Sequence, residues 1–300
     1  MKILLLGGNG QVGRELRRSL ATLGELIVAT RDGIGDSQGA DAVADFGQPQ
    51  SLAALIESVT PDVVVNAAAY TAVDNAEADV DAAFRINAEA PAAIAKACKA
   101  VEALLVHYST DYVFDGRATR PYLEGNITAP LSVYGASKLA GEQAIRESGT
   151  RHAILRTAWV YAAHGKNFLL TMLRLAAERD ELRVVADQYG APTPAAWIAD
   201  ATKKMLRYGV TASGTWHLTA RGETSWHGFA VAIMDEAHAL GLLQTKPLVL
   251  PITTAEYPTP AHRPAYSVLD TTRLQRDFGI VPPDWRDGLR QTLAELVPTS

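Results

Sequence analysis

The run Tyr-Gly-Ala-Ser-Lys at residues 134–138 sets a phenol and a primary amine four positions apart. On a helix, residues i and i+4 share one face, so Tyr134 and Lys138 can act together on one small molecule. Such a pair suits reduction of a ketone, in which the phenol gives a proton to the carbonyl oxygen as hydride reaches the carbon. An ordinary phenol, with a pKa of about 10, is a poor acid near neutrality. A lysine charge about 4 Å away is worth about 4 kcal/mol at an effective dielectric of 20. The spacing therefore predicts that Lys138 draws the pKa of Tyr134 down, with desolvation returning part of the shift. Thr110 ends the apolar run Leu-Leu-Val-His-Tyr-Ser-Thr, where its hydroxyl can share the ketone oxygen with Tyr134; Ser109 is the alternative hydroxyl.

Hydride needs a carrier, and residues 7–13, Gly-Gly-Asn-Gly-Gln-Val-Gly, lie between an apolar run and an amphipathic one. Of Gly7, Gly10 and Gly13, one permits a tight turn, one lets the backbone approach a pyrophosphate, and one lets helix and strand pack closely. Gln11 and Val12 complete this loop, and the helix that follows turns its N-terminal amides toward the anion. After the second apolar run comes Arg31-Asp32. A carboxylate there holds the ribose hydroxyls of NAD and an arginine meets the 2'-phosphate of NADP, so NADPH and NADH both stay open. Asp45 and Phe46 are a second candidate pair, a carboxylate and a flat ring flanking the adenine. In Asn-Ala-Ala-Ala-Tyr-Thr, residues 66–71, the small side chains of Ala67, Ala68 and Ala69 fit against a cofactor where bulk would collide. Asn87 reads either as a polar group fixing backbone near the site or as a purely structural one.

The elements that must position these groups follow from periodicity. Continuous apolar runs at 3–6, 26–29, 63–65, 104–107 and 153–155 fit strands buried on both faces of a parallel sheet. Helical patterns at 12–23, 51–59, 80–101 and 134–147 alternate with them. This is an α/β, Rossmann-type doubly wound sheet, whose ligands sit at the carboxyl ends of its strands. A dinucleotide-binding domain is expected over 1–158, with 196–222 returning to it, and a smaller, partly interleaved substrate lobe over 159–300. In that second half, helices are expected at 168–178, 197–208, 225–240 and 284–296 and strands at 182–185 and 215–218, with an irregular Pro-rich connection at 251–264 and a Gly- and Asp-rich loop at 32–40.

The composition narrows the function classes. In 300 residues, 48% are hydrophobic, ample for a packed core, and the formal net charge of -5 comes with no basic run to attract nucleic acid. Cys98 stands alone, so no internal disulfide is possible, and it reads as a small apolar residue on a helix. The opening apolar run is too short for a signal peptide or a membrane span, which predicts a cytoplasmic protein with no membrane partner.

Taken together, Gly-Gly-Asn-Gly-Gln-Val-Gly, Val-Val-Asn-Ala-Ala-Ala-Tyr-Thr-Ala-Val-Asp-Asn-Ala-Glu, His-Tyr-Ser-Thr-Asp-Tyr-Val-Phe-Asp-Gly, Tyr-Gly-Ala-Ser-Lys and Arg-Thr-Ala-Trp-Val-Tyr resemble the extended short-chain dehydrogenases. More narrowly, they are similar to the dTDP-4-dehydrorhamnose reductases. The likeness runs along nearly the whole chain, including residues 187–193 and 263–270. It implies that Thr110, Tyr134 and Lys138 form a catalytic trio, and that NADPH or NADH reduces the 4-keto group of dTDP-6-deoxy-L-lyxo-4-hexulose, a nucleotide sugar. It also implies sugar contacts from Tyr112, Phe114 and Trp159, although Trp159 reads equally as a core aromatic. Arg263 is either a fork for the nucleotide diphosphate or a surface charge. Some family members dimerise through a magnesium ion on three glutamates. Here Glu15 and Glu295 match while Ala196 takes the third place, so no metal is expected and a homodimer stays open. Two other readings stand beside the reductase: a sugar-nucleotide 4-epimerase of the same superfamily, and a non-catalytic NADP-binding regulatory subunit.

Overall fold

A computed structural model describes residues 1–33 and 41–297, so residues 34–40 of the expected loop lie outside it. Seven strands form the central sheet: β1 (Lys2–Leu6), β2 (Glu25–Thr30), β3 (Ala42–Val43), β4 (Val63–Asn66), β5 (Leu104–Thr110), β6 (His152–Thr157) and β7 (Gly214–His217). Their spatial order is β7-β6-β5-β4-β1-β2-β3, with every pairing parallel. Apolar side chains cover both faces. Ile3 and Leu5 pack with Leu16 and Leu20 on one side, and Leu4 and Leu6 with Leu52, Ile56 and Ile94 on the other. Each such buried side chain is worth roughly 1.5–3 kcal/mol of transfer free energy, which is why these strands read as unbroken apolar runs. The order reverses on either side of β1, opening a crevice between its carboxyl end and that of β4.

The helix Val133–Ser148 carries Tyr134 and Lys138. Ser132 caps it by accepting from the Gly135 amide at 3.2 Å, and Gly149 ends it in the left-handed region at φ 68°. Two glycines let it press against its neighbours: a Cβ at position 135 would strike the Tyr112 carbonyl, and one at 141 the Asn87 carbonyl. Residues 80–101, expected as one helix, are interrupted. Val80–Phe84 and Ala90–Ala100 are α-helical, joined by a π-turn over Arg85–Glu89 that carries Asn87. Cys98 is fully buried on the second of these helices.

A further apolar cluster lies apart from the sheet. Tyr161, Leu169, Phe229, Trp285 and Leu289 pack among the helices Phe168–Glu178, Trp226–Ala239 and Trp285–Ala294. Beside them Glu181–Val185 pairs in parallel with Leu248–Ile252. The Pro-rich stretch is therefore not wholly irregular, because Pro251 sits inside a two-stranded ribbon, where an edge position dispenses with its missing amide donor. Among the described residues, no helix is long and apolar enough to cross a membrane.

One buried ion pair ties helix to sheet. Arg156 of β6 donates from Nε and Nη2 to the two oxygens of Glu142 at 2.9 and 2.7 Å, and Arg146 adds a bond at 2.7 Å. Burial alone would push the Glu142 carboxyl up, but the two guanidinium groups hold it below its usual range. Removing one partner of such a pair leaves an uncompensated charge. Arg156→Met should lower the unfolding free energy by about 3–5 kcal/mol at pH 7, measured by urea denaturation. Since the folded carboxyl titrates below the unfolded one at about 4.3, this contribution is complete above that pH and fades as the pH falls through the folded value. A loss under about 1 kcal/mol at pH 7 would contradict the account.

Candidate active site

A cavity of about 500 Å3 opens at the carboxyl ends of β1, β4 and β5. Gly7, Gly10, Gln11 and Val12 line one wall, Arg31, Asp32 and Phe46 another, and Ala67, Ala68 and Ala69 a third. Gly7 has φ 84°, and a Cβ there would meet the Ala68 backbone. Gly13 does not reach the cavity; a Cβ on it would strike the Gly7 carbonyl, so its absence lets the helix Gln11–Leu20 close onto the loop. That helix begins at Gly10 with no side-chain cap and no acidic residue in its first turn. Its amides are therefore left for an anion, and the cradle fits a dinucleotide pyrophosphate. Asp45 departs from expectation: its carboxylate accepts from the Gly47 amide at 2.9 Å in a turn, while only Phe46 faces the cavity. Arg31 and Asp32 both line it, with Thr30 donating to Asp32 at 3.3 Å.

Tyr134 and Lys138 close the inner end of the same cavity, with Ser109 beside them. The Lys138 ammonium, 2% exposed, donates to the Tyr108 carbonyl at 2.7 Å and lies 3.4 Å from His107 Nε2. The tautomer of this histidine follows from its neighbours. The Ala68 amide donates to Asn66 Oδ1 at 3.1 Å, so Asn66 Nδ2 donates to His107 Nδ1 at 3.0 Å. A ring kept neutral by burial, and secondarily by Lys138, then carries its proton on Nε2, facing the ammonium. Burial, only partly offset by Glu142, pulls Lys138 down to about 8.

The phenol does not behave as its spacing predicts. Burial pushes Tyr134 up to about 12; the hydrogen-bonded Thr110 hydroxyl opposes this and the Asp111 carboxyl adds to it, while Lys138 is engaged elsewhere. Desolvation is the largest cause, and the Lys138 ammonium is bonded to the Tyr108 carbonyl and not to the phenol. Nor is the Thr110 hydroxyl free to share a ketone oxygen. It donates to Asp111 Oδ1 at 3.0 Å and accepts from the Tyr112 amide at 3.1 Å. Asn87 is bound on three sides, accepting from the Tyr70 amide at 2.8 Å and donating to the Tyr70 carbonyl and Ser137 Oγ. It thus joins the π-turn, the 66–71 loop and the helix of Tyr134. His107 and Asp111 escaped the sequence reading, because a histidine and an aspartate in a strand end give no signal until their burial is known.

The residues expected at the sugar are divided. Tyr112 packs edge-on to Tyr134, with ring centroids 6.0 Å apart. Phe114 is fully buried, stacked on Tyr122 and beneath the Arg156 guanidinium, so it is a core residue and no substrate contact. Trp159 has φ 47° and stacks on Trp226 at 3.5 Å, which covers one indole face. Trp226, Phe168 and Tyr257, none of them singled out in sequence, line a second cavity of about 480 Å3 together with Arg263 and Asp74. There Arg263 makes a two-pronged pair with Asp74 at 3.0 and 2.7 Å. Glu15 gives its carboxylate to Arg18 and His164, at 2.7 and 2.9 Å.

Comparison with known proteins agrees with this architecture. The family model described as "RmlD substrate binding domain" matches residues 1–297. A dTDP-4-dehydrorhamnose reductase of Burkholderia thailandensis is 52% identical over 95% of this chain and 96% of its own length. That of Escherichia coli K12 is 46% identical over 100% and 99%. Among solved structures, the reductase of Clostridium acetobutylicum superposes with a TM-score of 0.90 at 37% identity, covering 99% of both chains. The reductase of Bacillus anthracis, solved in complex with NADP, gives 0.89 at 35%, covering 98% of this chain and 100% of that one. With a family model spanning nearly every residue and a glycine-loop cavity that ends at Tyr134 and Lys138, the chain belongs to the RmlD substrate binding domain family, that of the dTDP-4-dehydrorhamnose reductases.

Proposed function

We propose that this protein reduces the 4-keto group of dTDP-6-deoxy-L-lyxo-4-hexulose to give dTDP-L-rhamnose, using NADPH or NADH. The observation that carries the reading is a half-buried phenol, protonated at neutral pH, at the inner end of a dinucleotide-sized cavity. The bound dinucleotide would supply hydride to the carbonyl carbon. Gly7, Gly10, Gln11 and Val12 would hold its pyrophosphate, Arg31, Asp32 and Phe46 its adenosine end, and Ala67, Ala68, Ala69, Tyr134 and Lys138 its nicotinamide end. Tyr134 gives its phenolic proton to the ketone oxygen: the phenol O–H bond breaks and the alcohol O–H bond forms. A pKa of about 12 keeps the phenol protonated at neutral pH, and transfer stays downhill because an alkoxide is the stronger base. Tyr112, beside Tyr134, contacts the sugar. Arg263, already aligned by Asp74, takes the diphosphate in the second cavity. Residues 1–158 with 196–222 then serve the cofactor and the remainder serve the sugar. The water-soluble substrate and cofactor of this reaction support a cytoplasmic setting.

Tyr134→Phe should lower kcat by roughly 10²–10⁴-fold, the usual worth of a positioned acid, while the dinucleotide still binds. Unaltered turnover would remove Tyr134 from the reaction, and substrate conversion by the wild type without net cofactor oxidation would point to an epimerase. Arg263→Met should raise KM for the nucleotide sugar by about tenfold or more, since hydrogen bonds to charged groups are worth about 1.5–3 kcal/mol. Its cofactor affinity should match the wild type; an unchanged KM would leave Arg263 a structural partner of Asp74.

A further inference from the structure

Behind Lys138 stands a buried histidine that the reduction itself does not use. His107, on β5, is fully buried, and its ring joins Asn66 at the end of β4 to Lys138 on the helix Val133–Ser148. The Ala68 amide donates to Asn66 Oδ1 at 3.1 Å, which turns the Asn66 NH2 group toward His107 Nδ1 at 3.0 Å. An Asn66 side chain turned the other way would set its NH2 group against the Ala68 N–H. His107 Nδ1 must therefore accept, and this excludes the imidazolium, in which both nitrogens donate. The ring proton is left on Nε2, 3.4 Å from Lys138 Nζ.

Lys138 Nζ thus has a fixed acceptor on one side, the Tyr108 carbonyl at 2.7 Å, and a fixed donor on another. An ammonium offers three N–H donors and no lone pair, so it satisfies the carbonyl but sets a donor against the Nε2–H of His107. An amine offers two N–H donors and one lone pair. It donates to Tyr108, accepts from His107 and keeps one N–H for the cavity that Lys138 lines. We infer that His107, oriented by Asn66, lowers the basicity of Lys138 by presenting Nε2–H to it, and so sets the alkaline limit of the reduction. His107 is a positioning residue, acting through Lys138. The limit arises because Tyr134 is left as a phenolate when it gives up its proton. A positive charge one helical turn along favours that phenolate, and a neutral amine does not.

Burial acts in the same direction as His107, pulling Lys138 down to about 8. Glu142 on the same helix opposes it, and is itself held by Arg146 and by Arg156 from β6. Tyr134, also on that helix, stays a neutral phenol through this range. From β5, the Tyr108 phenol is bonded to Thr202 at 2.7 Å, and Asp111 in the turn that follows acts on Tyr134. Arg31 and Asp32 border the same cavity on another wall.

The kinetic part of this inference rests on the reductase reading, and the two fail differently. In protein carrying isotopically labelled histidine, NMR should show the His107 ring neutral and protonated on Nε2 from about pH 6 to about 9. Its Nε2–H signal should shift with a midpoint near 8, as deprotonation of Lys138 supplies the missing acceptor. In protein carrying labelled lysine, the Lys138 ε-carbon should titrate near 8 in the wild type. In His107→Phe, which keeps a ring in the core and removes the donor, that midpoint should rise by about one pH unit, the worth of one hydrogen bond. The single-turnover rate of NADPH oxidation with dTDP-4-dehydrorhamnose should fall with the Lys138 midpoint in both proteins, whereas a packing role alone would lower the rate and leave the midpoint in place. If His107→Phe does not fold, the Nε2–H signal of the wild type decides the matter alone. A ring protonated on Nδ1 or on both nitrogens, an Nε2–H signal indifferent to the Lys138 titration, or an unmoved Lys138 midpoint in a folded His107→Phe overturns the role of His107. A rate that does not follow the Lys138 midpoint overturns its hold on the alkaline limit. Absence of NADPH oxidation by the wild type at any pH overturns the reductase reading instead, and leaves both NMR titrations standing.

Discussion

Desolvation of the groups at the end of β5 governs the rest of this site. Lys138 places an ammonium where almost no water reaches, at a cost only good hydrogen bonding can offset. The Tyr108 carbonyl, at 2.7 Å, supplies the main bond, and Glu142 one turn along the helix adds its field. Glu142 can be buried only because Arg156 reaches it from β6 with two bonds. A line of polar groups thus runs from the cavity through the helix Val133–Ser148 to the next strand, each member making the burial of its neighbour tolerable. The same exclusion of water raises Tyr134 and Asp111 and lowers Lys138 and His107. One physical cause moves acids and bases in opposite directions, which brings Asp111 and Lys138 toward neutrality from either side.

Much of this arrangement is legible in the sequence, and the gaps have a common origin. Apolar runs such as Leu4-Leu5-Leu6 and Val63-Val64-Val65 announce buried parallel strands because each residue in them meets core on one face or the other. The glycine loop is legible because Gly7 and Gly13 occupy points where any side chain would strike backbone. Val249-Leu250-Pro251 hides its strand, since an edge position needs neither a continuous apolar pattern nor every amide. Phe114 misleads for the opposite reason: its place in a motif suggests contact with a ligand, but its ring is spent on Tyr122 and Arg156. The acidity of Tyr134 was out of reach because spacing reports how near Lys138 is in the chain. It does not report how little water surrounds the phenol or what the ammonium already binds.

The apolar clusters on the sheet are separate from the one around Phe229 and Trp285, and polar contacts lie between these parts of the molecule. Asn167 donates to Gln11 at 2.8 Å, His164 meets Glu15 at 2.9 Å, and Arg263 reaches across to Asp74. Contacts of this kind are individually weak where they are partly exposed and contribute little net stability. An apolar seam of the same extent would close the gap, because burying it would be favourable without any ligand. A seam of hydrogen bonds and ion pairs leaves room for competing polar partners, and Gln11 and Arg263 each border a cavity. The separation of the clusters on the sheet from the one around Phe229 and Trp285 thus leaves a polar seam beside the cavity that Tyr134 closes.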